Sequence, residues 1–514
     1  MANRPPSAGP AADYNANTLD ATACPSWRRL LIISEYTTHG ERVMFPDGPY
    51  KPTPEGGYMN NIATEAASDK VDKKQLSRVA FASLIGTFIE FYDYFIYGAA
   101  AALVFPHLFF TELPPTVATI VSFATLGVAF VTRPIGAVIF GHYGDTVGRK
   151  AMLIASVTIM GVATVVIGLL PTYETIGLAA PVLLVIIRLI QGLAVGGEWG
   201  GATTMMIEYA PKKKRGFYGT FVQLGNVLGV LCATGSFALA SALPDDTFLA
   251  WGWRIPFLAS IILMGIGIFI RMKIEEPPMF KKMLSEREKT SLPIVQVFKK
   301  FPRQIFLAAG LRISESVVGY LIISYVLQYT TSKFHMPSST VLTGVMVAAA
   351  TGLIAFPLWG ILSDKIGRRA VFLIGAFGSC LLAYPFYWLV DSGTMWGVYL
   401  ALILGYSFVI GSMYSIEPCY LSEMFSTEVR YTGVSVGSQL AGVFGGFTPM
   451  VGTALVAWAG GEFWPIAWMI IVSGVITGFC ALGTGETMHR DLNDAMDSKP
   501  VKQASGDAML AKTR

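Results

Sequence analysis

Eight ionisable side chains interrupt long apolar stretches of this sequence. Glu90, Asp93, Glu198, Glu315 and Glu417 are acids, and Arg133, Arg188 and Arg312 are bases. A charge near a bilayer centre costs at least about 2.5–3.5 kcal/mol on insertion scales, so such residues persist only when paired, protonated or facing water. The acids outnumber the bases, so pairing cannot neutralise them all. At least one is expected to take up a proton in one conformation and release it in another. Glu90 and Asp93 stand three residues apart, followed by Tyr94 and Tyr97, and are expected on one helical face. A second reading stays open, in which either acid is locked permanently to Arg133 or Arg188. Arg312 and Glu315 repeat the three-residue spacing. Arg133 and Arg312 are suited to hold an organic carboxylate between them, or else act only as internal counter-ions. The candidate proton carriers are therefore Asp93, Glu90, Glu315 and Glu198. The candidate substrate contacts are Arg133, Arg312, Arg188, Gln191, Tyr97, Tyr320 and Glu417.

Positioning these residues takes a membrane. The 514-residue chain is 53% hydrophobic and 14% charged, against about 25% charged in soluble domains. With about 20 apolar residues per crossing, it reads as an all-α integral membrane protein with twelve spans. These are 80–106, 116–141, 150–171, 178–208, 216–243, 252–272, 303–331, 338–362, 369–390, 395–424, 431–459 and 462–483. At 1.5 Å per residue, Glu90 lies about 18 Å from Arg78 and Arg133 about 18 Å from Asp145, mid-depth in a core roughly 30 Å thick. One set of loops carries Arg149, Lys150, Lys212, Lys213, Lys214, Arg215, Arg368, Arg369 and Arg430, while the alternate set carries Glu112, Glu174, Asp245, Asp246, Asp391 and Glu462. Positive charge stays cytoplasmic, which puts both termini inside and requires an even number of spans. The expected organisation is a six-helix half over 76–272, a cytoplasmic linker over 273–302, a second half over 303–484 and a cytoplasmic tail over 485–514. Residues 1–75 hold no spanning run. Met59 is read as the true start, because Glu55-Gly56-Gly57-Tyr58 can be encoded by a purine-rich stretch like a ribosome-binding site. The alternative is a disordered cytoplasmic extension.

A loop signature occurs twice: Gly141, Asp145, Gly148 and Arg149, then Gly360, Asp364, Gly367 and Arg368 at the same spacing. A second pair follows, Glu208 seven residues before Arg215 and Glu423 seven before Arg430. The offsets are 219 and 215 residues, as duplication with small loop changes would leave. Asp145 and Asp364 can each cap the positive N-terminus of a helix from the other half. Arg149 can pair with Glu208, and Arg368 with Glu423. These twelve residues are the candidate gate. Duplicated membrane halves with charged hinges imply an alternating-access carrier. Pro134, Pro256, Pro357, Pro385, Pro418 and Pro449 can break helices that line a cavity.

Beyond residue 75 the chain resembles the major facilitator superfamily, through the repeated Gly-x-x-x-Asp-x-x-Gly-Arg-Lys/Arg loop. Within it, the chain is similar to the metabolite:proton symporter family. That likeness rests on Ile85–Gly98 (with Glu90, Phe91, Tyr92 and Asp93), on Arg188–Gly201 (with Gln191, Gly192, Gly196, Gly197 and Glu198) and on Trp251-Gly-Trp-Arg254-Ile-Pro256-Phe. Arg312-Ile-Ser-Glu315 with a Tyr soon after looks like the shikimate-transporter branch; sister members carry proline and betaine, oxoglutarate, citrate or aromatic acids. Thr146 departs from the family pattern, which usually has a basic residue there. The resemblance implies a multi-pass carrier of the bacterial inner membrane that imports a small organic acid by proton symport. Uptake of a zwitterionic osmolyte is the alternative.

Other classes fit less well. The five cysteines are scattered, with no metal-ligand spacing. No phosphate-cradling glycine loop occurs, and no nucleophile–base arrangement points to an enzyme. No metal or cofactor is expected, the proton gradient being the energy source. The expected partners are a small metabolite, protons and the lipid bilayer, with no nucleic acid, around a monomer. A membrane sensor would need a soluble output domain, and a channel has no use for paired gate motifs.

Overall fold

The computed structural model describes residues 73–273, 293–427 and 429–492; the side chains of Lys73, Asp145, Thr146, Arg149 and residues 293–296 are outside that description. Met59, most of the linker and the end of the tail also lie outside the described residues. Among the described residues, twelve helices are long and apolar enough to span a membrane. They are α1 (Lys74–Leu103), α2 (Pro115–Gly144), α3 (Lys150–Leu169), α4 (Ala179–Tyr209), α5 (Lys212–Ala240), α6 (Arg254–Met272), α7 (Pro302–Phe334), α8 (Ser338–Ile366), α9 (Arg368–Asp391), α10 (Met395–Ser422), α11 (Arg430–Trp458) and α12 (Trp464–Thr484). All belong to one compact unit, Val71–Arg514, and no strand occurs among the described residues. Several helices outrun their predicted ends. α1 begins at Lys74 rather than 80, and α7 reaches Phe334 rather than 331. Intrahelical bonding continues past the apolar stretch, and the long side chains of Lys74, Arg78 and Lys333 at those ends are exposed.

Helices α1–α6 and α7–α12 form two halves that meet along two equivalent seams, α2 on α11 and α5 on α8. Within the halves, α1 packs on α5 and α7 on α11, again as equivalents. The prolines correct one expectation. Pro134, Pro357, Pro385 and Pro449 sit inside uninterrupted helices, since neighbouring helices and local adjustment can satisfy the backbone groups that proline frees. The interruptions fall at Gly196–Gly197 in α4 and at Ser415–Ile416 in α10, the latter just ahead of Pro418 as expected, so Glu198 and Glu417 each open a second helical segment. Helices α7 and α10 also contain π-helical turns, at Leu321–Tyr325 and Leu404–Ile410. Such turns gather at functional sites, and Ile323, Tyr406 and Ile410 from them line the central cavity.

Candidate functional site

The acids of α1 do not act as a pair. Glu90 turns to Arg133 of α2 at 3.6 Å, and that guanidinium lies 4.0 Å over the Phe130 ring. Asp93, only 4% exposed, turns into the N-terminal half. There Thr164 of α3 donates to Oδ2 and Ser260 of α6 to Oδ1, both at 2.8 Å. Thr164 Oγ1 also lies 3.0 Å from the Met160 carbonyl and accepts from Gln191 Nε2 at 2.7 Å. Gln191 Oε1 in turn accepts from Arg188 at 2.9 Å, and Arg188 stacks 3.8 Å over Tyr97. Tyr97 shares a 2.7 Å hydrogen bond with Thr125. The structure thus gathers Arg188, Gln191 and Tyr97 into a packed support around Asp93, and none of the three lines the central cavity.

Glu198 has a partner that sequence reading left unassigned. Arg271, near the end of α6, forms a buried ion pair with it, and Ser156 donates to the same carboxylate. Removing one member of a buried pair costs about 3–5 kcal/mol, because the other charge is left uncompensated. Arg271→Met should therefore lower the thermal unfolding midpoint of the detergent-purified protein sharply. Adding Glu198→Gln to it should recover most of the loss. A double variant as unstable as the sum of the two single changes would contradict this pairing.

In the other half, Arg312 Nε lies 3.0 Å from Glu315 Oε1 and 3.2 Å from Glu417 Oε1. Its guanidinium stands 4.5 Å from the Trp199 ring of α4. Arg312, Glu315 and Tyr320 line a cavity of about 360 Å³ with Asn226, Tyr406 and Tyr414, and with Phe91 and Phe95 of α1. Both halves therefore contribute to it. Tyr94, Phe130 and Tyr320 form an aromatic contact between the halves, with centroid separations of 5.1–5.5 Å. Tyr406, Tyr414 and Asn226 went unnoticed in the sequence; the one available signal was the eight-residue spacing that puts both tyrosines on one side of α10.

The face carrying the signature loops is closed. Asp364 Oδ1 and Oδ2 accept from the backbone N–H groups of Gly216 and Phe217, both at 2.9 Å, so a carboxylate of α8 caps the start of α5 in the opposite half. Arg368 braces Asp364 at 2.7 Å and reaches Glu423 at 3.6 Å. Two further pairs cross between halves, Arg430 with Glu208 at 2.9 Å and Arg215 with Glu423 at 4.0 Å. Burial pushes the Glu423 carboxyl above its usual range, against the opposing pull of Arg368, Thr487 and Arg215. The signature glycines have separate reasons. A Cβ at Gly360 would lie 2.9 Å from the Gly216 carbonyl oxygen across the seam, while Gly148 and Gly367 hold φ of 135° and 101° ahead of α3 and α9. Gly141 lies against Thr432 of α11.

Residues 485–492 cross this closed face. Glu486 accepts from the backbone N–H groups of Arg368 at 2.9 Å and Arg369 at 3.1 Å, and Thr487 donates to Glu423 at 2.6 Å. Arg215 donates to the Arg490 carbonyl at 3.1 Å, and Lys212 lies 3.6 Å from Asp491. The segment thereby ties α5 of one half to α9 and α10 of the other. On the opposite face a cleft of about 900 Å³ runs between Thr116 of α2 and residues of α7 and α11, including Tyr325, Gln328, Lys333 and Thr453.

Comparison with known proteins agrees with this architecture. The sequence profile of the Major Facilitator Superfamily matches residues 83–417 and 307–488. The shikimate transporter of Escherichia coli (strain K12) is 36% identical over 426 residues, covering 82% of this chain and 97% of that protein. An inner membrane metabolite transport protein of the same organism is 39% identical over 81% of this chain and 96% of its own length. The proline/betaine transporter of that strain is 30% identical over 83% and 86%. Among solved structures, a proton:xylose symporter bound to 6-bromo-6-deoxy-D-glucose superposes with a TM-score of 0.65 at 17% identity, covering 82% of this chain and 98% of that one. That last likeness speaks for the fold. With relatives that are transporters rather than enzymes, twelve membrane helices in two halves and a twice-repeated Gly/Asp/Gly/Arg loop, the chain belongs to the major facilitator superfamily of membrane transporters.

Proposed function

We propose that the protein imports a small organic acid together with protons, by alternating access, across a bacterial inner membrane. The signature face is then cytoplasmic, by the distribution of Lys and Arg in the loops, and the described conformation is closed toward the cytoplasm. One observation carries the substrate class. Among the described residues, the acids beside Arg312 engage its Nε, which leaves the terminal Nη pair of the guanidinium for a bidentate carboxylate. Tyr320, Tyr406, Tyr414 and Asn226 around it suit a ring with hydroxyl groups. Asp93 is the coupling acid. Its partners are hydroxyls, which can donate to a carboxylate or turn to accept from the neutral acid, and Thr164 has the Met160 carbonyl as an alternative acceptor.

Labelled shikimate and labelled betaine, offered to proteoliposomes under an inwardly directed proton gradient, test the reading. Shikimate should accumulate. Concentration of betaine with shikimate excluded would replace the organic acid by a zwitterion, as the proline/betaine relatives suggest. Arg312→Ala should raise KM for shikimate roughly 30- to 150-fold, for about 2–3 kcal/mol of charge-assisted hydrogen bonding. Arg312→Lys should restore little, since an ammonium lacks the planar fork. An unchanged KM in the alanine variant would leave Arg312 as a counter-ion only.

A further inference from the structure

We propose that Glu417 is a second proton-binding site, in the C-terminal half, and that its proton is the condition for a carboxylate to seat on Arg312. The substrate in this statement rests on the organic-acid reading above; the proton site rests on ion-pair geometry.

The two halves make the case by comparison. Glu198 and Glu417 are offset by 219 residues, as are Gly141 and Gly360, and each opens the second segment of an interrupted helix. Glu198 has its own cation, Arg271, and a serine hydroxyl. Glu417 has neither. Its cationic neighbour is Arg312 Nε, and the same nitrogen donates to Glu315, which takes a further hydrogen bond from Ser316 at 2.9 Å. Among the described residues no donor reaches either oxygen of Glu417 in hydrogen-bond geometry, and the side chain is fully buried.

Among the described residues no other cation is placed to balance it. The surrounding charges are engaged elsewhere: Glu90 with Arg133 on α1 and α2, Glu198 with Arg271 on α4 and α6, Arg215 of α5 with Glu423, and Arg430 of α11 with Glu208. Tyr414 on α10 faces Arg312, Glu315 and Glu417 alike, while Tyr320 on α7 faces Arg312 and Glu315. One guanidinium therefore faces two carboxylates, and Glu315 holds the hydrogen bonds that favour a charge. An incoming carboxylate would add a third negative charge around a single buried cation. With Glu417 protonated from the same inward proton gradient, it meets a neutral Arg312–Glu315 pair instead. Substrate leaves and the proton follows once the cytoplasmic face opens. The cycle then carries two protons, on Asp93 and Glu417, so a monoanion enters with one net positive charge.

Infrared difference spectroscopy of the purified protein in liposomes, exchanged between H₂O and D₂O, reads the proton without any substrate. With Asp93 replaced by asparagine throughout to remove its own signal, a protonated-carboxyl C=O band should persist in Asp93→Asn and be absent when Glu417→Gln is added. Glu315→Gln should abolish it too, because Arg312 is then left to Glu417 alone; a purely structural role for Glu315 predicts no such loss. A band that survives either glutamine substitution in the Asp93→Asn background overturns the proposal. In uptake, wild-type shikimate accumulation should respond to an imposed membrane potential, its limit rising about 50-fold per 100 mV for one net charge. Glu417→Gln should keep the pH-driven component and lose the voltage response, whereas voltage-independent wild-type uptake overturns the two-proton cycle. Band loss without any shikimate uptake supports the proton site and overturns only the substrate reading.

Discussion

Asp93→Asn is expected to strip uphill accumulation of the share driven by the Asp93 proton while leaving exchange of labelled for unlabelled substrate intact. Asparagine matches the size of the acid and can both accept and donate within the hydroxyl cage of Thr164 and Ser260. It therefore imitates the protonated form in every conformation. A carrier locked in that form can still reorient with substrate bound, so counterflow persists. It cannot release a proton on the low-concentration side, so substrate flow is uncoupled from the gradient at this site. Each proton coupled to substrate makes one unit of pH difference worth about 1.4 kcal/mol, a tenfold concentration ratio. Loss of the Asp93 proton should bring the pH-driven ratio down to the value set by any remaining coupled site, and to one where no other site couples. The check is the steady-state ratio in proteoliposomes with the pH step imposed and the membrane potential clamped to zero. A mutant that concentrates substrate as far as the wild type would remove Asp93 from coupling. Loss of counterflow as well would point to a structural acid.

The duplicated elements were the legible part of the sequence. Loop glycines, acids and arginines recur at offsets of 219 residues in the loops and 215 in the Glu/Arg pairs, and each span is marked by its own apolar run. What escaped is set by how helices rotate and dock. Spacing alone puts Glu90 and Asp93 on one face, yet the neighbours of α1 separate them, Arg133 drawing one and the hydroxyls of α3 and α6 the other. Thr164 and Ser260 could not be singled out, because small hydroxyl residues are common wherever membrane helices pack. Arg271 reads as an ordinary basic residue at a helix end, next to Met272 and Lys273. It turns inward because Gly86 has no side chain: a Cβ there would meet the Arg271 guanidinium. Likewise, the Glu/Arg spacing was visible within each half. The exchange of partners, Glu208 with Arg430 and Glu423 with Arg215, depends on the docking of one half against the other. Residues 485–492 read as the start of a tail, since their contacts are largely backbone carbonyls and caps with no periodicity to betray them.

That docking is where the second large effect is expected. Asp364→Ala removes a carboxylate that accepts two backbone N–H groups from the opposite half and is braced by Arg368. None of the cross-half hydrogen bonds can survive once the cytoplasmic face opens, so the loss falls on the closed conformation alone. Hydrogen bonds to a charged group contribute about 1.5–3 kcal/mol each, and the start of α5 adds a favourable dipole. Water and the remaining pairs recover part of this. A net loss of about 2–3 kcal/mol shifts the opening equilibrium roughly 30- to 150-fold toward the open face. Thr220 is fully buried on α5 against Gly360, which makes Thr220→Cys a reporter in a background with the native cysteines replaced. A membrane-impermeant maleimide applied from the cytoplasmic side should label that reporter slowly when Asp364 is intact and rapidly when Asp364→Ala is added. Uptake from outside should fall in parallel, since fewer carriers present the cavity outward. Equal labelling in the two backgrounds would mean that the seam is held by helix packing alone, with the repeated carboxylate contributing nothing to the gate.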